Sequence, residues 1–164
     1  MTDIYLNQEL KAKYMADFEN VLKVTNESWK LSEKIRQYLI KINENPKIQT
    51  LYSKFPEGKH ELDHNESYLK FAYSKDIELK LFREFLPVFV GKYNQLKNST
   101  FNYMFREPHI NPNYDGEKSE IDIACLNDPD YNMVNNIRLV LKCSSKNIHD
   151  EFWEFVTGKL SEIK

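Results

Sequence analysis

Between Gly58 and Ser67 the chain reads KHELDHNE, and within it His60, Glu61 and His64 have the spacing H-E-x-x-H. On a helix that spacing sets two imidazoles one turn apart, aimed at a single Zn²⁺, while the intervening Glu polarises a bound water for hydrolysis. The chemistry depends on the helix. Here the motif follows Pro56-Glu57-Gly58 and runs into an alternating segment, so His60 and His64 are expected on a charged loop leading to a strand. Lys59 and Asp63 directly precede the two His, and a third ligand would have to come from Glu78, Glu84 or His109, none of which lies in a partner motif. The expectation is therefore no metal and no cofactor, with zinc on His60, Glu61 and His64 as the alternative.

A second carboxylate arrangement is Glu120 and Asp122 on one apolar run, followed by Arg138 to Lys142 on the next. The order distantly resembles the restriction-endonuclease-like nucleases, in which a metal-binding Asp precedes a strand ending in an acidic residue, any residue, then Lys. The resemblance would imply Mg²⁺ chemistry at Asp122, but Val140 stands at the second acidic position and leaves the carboxylate pair incomplete. Cross-strand pairing of Asp122 with Arg138 or Lys142 is the simpler expectation.

Nucleophilic catalysis finds little to use. Cys125 and Cys143 lie in apolar runs without Cys-x-x-Cys spacing and are expected as buried free thiols. Ser144-Ser145 reads as a turn or helix cap, and His149 as a solvated or capping side chain in the helix that follows. Tyr68, Lys70, Tyr103, Arg106, Arg138 and Lys142 are the aromatic and basic residues a stacking sheet for nucleic acid would need. With a net charge of −2 and no basic cluster in the sequence, packing in the core or at its rim is expected instead, and nucleic acid is not an expected partner.

The elements that must position these residues follow from periodicity. Leu10, Tyr14, Phe18 and Val21, then Ile35, Leu39 and Ile42, recur at helical spacing; the stretch predicts two helices broken near Thr25-Asn26, the second ended by Asn45-Pro46. Lys47 to Lys59 reads as a connector with one short turn of helix. Four segments alternate as strands: Ser67 to Ser74, Thr100 to Arg106, Glu120 to Leu126 and Ile137 to Cys143. Asp76 to Lys97 reads as a helix kinked or interrupted at Pro87, and Asn147 to Ile163 as a C-terminal helix with acidic residues toward its start.

With 41% hydrophobic and 29% charged residues, 164 residues suit one α+β domain, its residues 1–45 helical and residues 60–164 forming the sheet with an inserted and a C-terminal helix. The expected architecture is an antiparallel sheet of about four to five strands with the helices packed on one face. Four glycines leave no material for glycine-rich phosphate cradles, and no apolar run is long enough for a membrane span. The N-terminus carries no secretory pattern, so a cytoplasmic protein is expected.

Two polar stretches with aromatic tips, Glu107 to Lys118 and Asn127 to Asn136, have the composition of surfaces that meet something. In them Tyr114, Asp128, Asp130 and Tyr131 are the candidate partner-binding residues, as amphipathic anchors and carboxylates complementary to a basic protein. The function expected is a non-enzymatic cytoplasmic protein-binding module, an inhibitor, immunity or phage-type accessory protein that occludes or escorts a macromolecule. The alternative is a metal-dependent hydrolase or nuclease built on His60, Glu61 and His64 or on Asp122.

Overall fold

The computed structural model describes residues 4–28, 33–54, 66–105, 121–122 and 134–164. Helices α1 (Gln8–Ser28) and α2 (Glu33–Asn43) lead into β1 (Ile48–Lys54) and β2 (Glu66–Tyr73). A helical run follows, made of α3 (Glu78–Lys80), a π-helical turn (Leu81–Phe85) and α4 (Leu86–Tyr93). Strands β3 (Ser99–Phe105), β4 (Ile121–Asp122) and β5 (Asn136–Cys143) and helix α5 (Lys146–Glu162) complete an α+β fold. Among the described residues these strands pair antiparallel, in the order β3-β5-β2-β1-β4, and an isolated parallel bridge joins Ile4 to Val134.

Helix forms over both N-terminal stretches, but Thr25 and Asn26 lie inside α1, and residues 29–32, between α1 and α2, are outside the described residues. Neither residue caps α2; their propensity deficits of about 0.5 kcal/mol each are too small to end a helix. Asn7 starts α1, its Oδ1 accepting the Leu10 N–H at 2.8 Å. Asn45, beside Pro46, joins the far end of the chain: its Nδ2 donates to the carbonyls of Leu160 and Ile163 at 2.8 and 2.9 Å. Those carbonyls belong to the last turn of α5 and the residue after it, where the helix supplies no donors of its own.

The main departure from expectation is β1. Ile48–Lys54 was to be part of a connector, yet it is an interior strand between β2 and β4, and all its residues but Tyr52 are buried. A register shift between Thr50 and Tyr52 explains why alternation did not reveal it: one extra residue reverses the inward and outward positions halfway along the strand. Asn43 at the end of α2 holds the strand at that point, with Thr50 N–H donating to its Oδ1 at 2.8 Å and its Nδ2 donating to Thr50 Oγ1 at 2.7 Å.

Pro87 does not interrupt the helical run. It sits in the first turn of α4, directly after the π turn, whose wider winding relieves the contact of its ring with the preceding carbonyls. After α4 the chain turns into β3 through Asn98 at φ 58°, a left-handed conformation that Asn tolerates better than most residues. Helix α5 begins at Ser145, whose Oγ accepts the Ile148 N–H, as the sequence suggested.

The core joins α4, α5 and the sheet through aromatic side chains. Phe89 meets Phe101 of β3 at 5.7 Å and Phe152 of α5 at 5.9 Å between ring centroids, and Phe85 meets Phe71 of β2 at 6.3 Å. Helix α2 packs on α5, with Tyr38 stacked on Trp153 at 6.2 Å. Tyr14, Phe18, Ile35, Leu39 and Ile42, the helical stripe read from the sequence, lie in the same buried cluster. At about 1.5–3 kcal/mol for each fully buried large apolar side chain, this cluster is the main source of stability. Among the described residues no helix is long and apolar enough to cross a membrane.

Candidate functional site

The motif residues His60, Glu61 and His64, the third-ligand candidate His109, and the partner candidates Tyr114, Asp128, Asp130 and Tyr131 all lie outside the described residues, as does Cys125. Among the described residues no group of three or more His, Cys, Asp or Glu is placed to hold a metal ion.

Asp122 can be located by register. It stands opposite Tyr52 of β1, with β1 and β2 between it and β5, so Asp122 and the Arg138–Lys142 segment are about 14 Å apart at a strand spacing of about 4.8 Å. The expected pairing of Asp122 with Arg138 or Lys142 is thus replaced. Lys142 instead stands opposite Glu66, Nζ to Oε2 at 3.9 Å, and Arg138 stands opposite Lys70. The nuclease-like order of residues in the chain does not become a cluster in space, because β4 joins the opposite edge of the sheet.

That register assembles something the sequence did not show. On one face of β1, β2 and β5, Tyr52 stacks on Tyr68 at 5.3 Å, the Arg138 guanidinium lies 4.8 Å from the Tyr68 ring centre, and Lys54 approaches the same ring at 6.0 Å. Lys70, opposite both Tyr52 and Arg138, completes a basic and aromatic cluster. Nucleic acid would need these groups in solvent, but Tyr68 is 0% exposed, Lys70 4% and Lys54 9%. The two lysines and the Tyr68 ring are held within the fold, Arg138 is half-buried against that ring, and the cluster offers no stacking platform. Tyr103, grouped with them in the sequence, falls on the other face, opposite Leu139.

A Ser–His pair also forms without becoming a nucleophile. His149 is buried rather than solvated: α5 turns its first residues onto the sheet, placing Nδ1 2.6 Å from Ser67 Oγ of β2 and Nε2 2.6 Å from the Cys143 carbonyl. A carbonyl only accepts, so Nε2 carries the proton, Nδ1 accepts from the Ser67 hydroxyl, and Ser67 Oγ accepts from Trp153 Nε1 at 3.0 Å. The serine and base are aligned, but Ser67, His149 and Trp153 are at most 1% exposed and no substrate reaches them. The relay fastens α5 to β2 and β5. Cys143, a free thiol, is buried as expected.

Other polar contacts are likewise structural. Lys11 of α1 donates to the carbonyls of Asn43 and Ile48, and burial pushes its ammonium down to about 7. Tyr93 is pushed well above its ordinary value by burial and then by Glu151, whose carboxylate accepts its hydrogen bond and also pairs with Lys92 at 2.6 Å. Asp76 is held low, first by the hydrogen bond from Lys47 and next by that from Ser74.

The surface best suited to an external function is the outer edge of β3. Asn94, just past α4, closes its first half: Phe101 N–H donates to Asn94 Oδ1 at 2.7 Å and Asn94 Nδ2 donates to the Phe101 carbonyl at 3.1 Å. The side-chain amide thus takes the place of a neighbouring strand. Because backbone groups alternate sides along a strand, Tyr103 and Phe105 also direct N–H and C=O outward, while Asn102 and Met104 bond to β5. Among the described residues nothing pairs with those outward groups. The side chains there are open too, with Tyr103 38%, Met104 51% and Phe105 44% exposed. Phe82 of the π turn supports them, its ring edge-on to Phe105 at 4.6 Å.

Exposed edges are usually blunted by charge, proline or a bulge. The β3 sequence STFNYMF carries no charge and no proline, and its register with β5 runs without a shift. The sequence signal was present as an uncharged aromatic strand, but its place at the sheet edge is set by strand order. No protein-family model matches the chain, and neither a curated protein nor a solved structure matches it significantly.

Proposed function

We propose that this protein is a protein-binding module whose binding element is the outer edge of β3, a non-enzymatic cytoplasmic protein of the inhibitor, immunity or phage-accessory kind that occludes or escorts a macromolecular partner. The observation that supports this reading is the uncharged, aromatic, unblunted half-edge at Tyr103 to Phe105. Main-chain bonds to an added strand supply affinity at such an edge, and alternate side chains supply selectivity. Tyr114, Asp128, Asp130 and Tyr131 are the loop candidates for contacts with the same partner.

Tyr103→Pro tests the reading directly, since it removes an outward N–H and leaves the β3–β5 bonds in place, a substitution edge strands accept. Tagged wild-type protein is expected to retain one protein in stoichiometric amount, either a foreign partner or an untagged co-expressed copy, and Tyr103→Pro to lose it while keeping the wild-type circular dichroism. Undiminished retention by a folded Tyr103→Pro variant overturns the reading.

A further inference from the structure

We infer that the strand received by the β3 edge is the β3 of a second copy of this chain, paired antiparallel about a two-fold axis at Met104. The inference rests on the proposed binding role of that edge and names its partner.

The geometry leads to this occupant in steps. The open backbone groups belong to Tyr103 and Phe105, and these flank Met104 symmetrically. A two-fold axis at Met104 sets Tyr103 of one copy opposite Phe105 of the other. Each of the two symmetry-related pairs then exchanges both main-chain hydrogen bonds, so every outward group of Tyr103 and Phe105 is satisfied. A second copy is also the one occupant for which the pairing is reciprocal, each copy's open groups at Tyr103 and Phe105 satisfying the other's. Asn94 already occupies the edge at Phe101, which confines pairing to the stretch this axis uses.

Side chains fit the same register. Directly opposed residues share a face, so Tyr103 of one copy lies beside Phe105 of the other, over the Phe82 ring that each supplies. On the other face Met104 meets its own symmetry mate. The strand carries no charge, so self-pairing opposes no like charges, and it offers no charge to select a basic or acidic strand. The contact is isologous and closed: it joins two sheets and consumes both β3 edges.

Register can be tested by cysteine cross-linking. Met104 and its mate form a non-hydrogen-bonded pair with Cα atoms about 4.5 Å apart, inside the disulfide range of about 4.4–6.8 Å. Asn102, on the same face of the strand, lies about 13 Å from its mate in this register, four residues along at about 3.3 Å each. In a Cys125→Ser background, Met104→Cys is expected to form a covalent dimer under mild oxidation and Asn102→Cys to stay monomeric. Wild-type protein is expected to sediment at twice the chain mass at about 100 µM, and Met104→Lys, which opposes two ammonium groups at the axis, to weaken the dimer at least about tenfold. Tyr103→Pro is the second variant and acts on the backbone alone.

A monomeric wild type at that concentration overturns the inference, as does a dimer that Asn102→Cys cross-links and Met104→Cys does not. If the wild type is monomeric but retains a foreign protein that Tyr103→Pro releases, the second-copy inference falls and the binding role of the edge stands. A dimer indifferent to both Met104→Lys and Tyr103→Pro, with no other protein retained through the edge, removes both.

Discussion

Ser67→Ala separates a structural serine from a catalytic one. The Ser67 hydroxyl accepts from Trp153 Nε1 at 3.0 Å and donates to His149 Nδ1 at 2.6 Å, with all three residues at most 1% exposed. Replacing that hydroxyl by hydrogen removes both hydrogen bonds with little change in volume. Each bond contributes about 1 kcal/mol net, and a buried group deprived of its partner costs about 1–3 kcal/mol, so a loss of about 3 kcal/mol is expected. For a chain of this size about 2–4 °C accompanies each kcal/mol, which places the fall in Tm near about 6–12 °C. Urea unfolding followed by far-ultraviolet circular dichroism measures the loss, and an unchanged m-value confirms that the folded and unfolded states are otherwise alike. A loss below about 0.5 kcal/mol, the range of an indifferent surface substitution, would refute the relay. Covalent labelling of wild-type Ser67 by a fluorophosphonate would refute its burial and restore the nucleophile.

Lys11 makes stability depend on alkaline pH. Its folded value of about 7 lies below the ordinary lysine value, so between these two limits the unfolded chain holds a proton that the folded chain has released. Stability contributed by this group therefore rises as pH increases from about 7 toward 10, by up to about 1 kcal/mol per pH unit after allowance for partial solvent access. Unfolding free energies at several pH values should show that gain in the wild type and not in Lys11→Met; parallel curves would contradict it. Asn45→Ala removes the donors to the Leu160 and Ile163 carbonyls and the acceptor for Lys47 N–H, and should cost about 2 kcal/mol. Hydrogen exchange should rise first in the last turn of α5, and uniform exchange would show that this helix end is held by other contacts.

Local pattern was enough to find β2, β3, β5 and α5, since the sequence of each keeps one period along its length. It was not enough for β1, where the register shift after Thr50 divides the alternation into pieces too short to read. Thr25 and Asn26 misled in the opposite sense, because polar residues lower helix propensity without ending a helix.

The site depended on relations that a linear pattern does not contain. His149 reads as a capping residue from its neighbours, and its role is decided by Ser67, a strand residue 82 positions away. Lys54, Lys70 and Arg138 read as scattered charges until three strands bring them around Tyr68, and the same packing buries the two lysines and half-buries Arg138. Asp122 follows the same logic, since its neighbours depend on which edge of the sheet β4 joins.

The composition of β3, uncharged and aromatic, is a property of the chain alone, as are the helical stripes and the alternation of the other strands. Whether that composition is core or interface is a matter of strand order. Hydrogen bonding along a ladder leaves one row of backbone groups unsatisfied wherever the sheet ends, and among the described residues one such end is β3, closed by Asn94 at Phe101 and open at Tyr103 and Phe105.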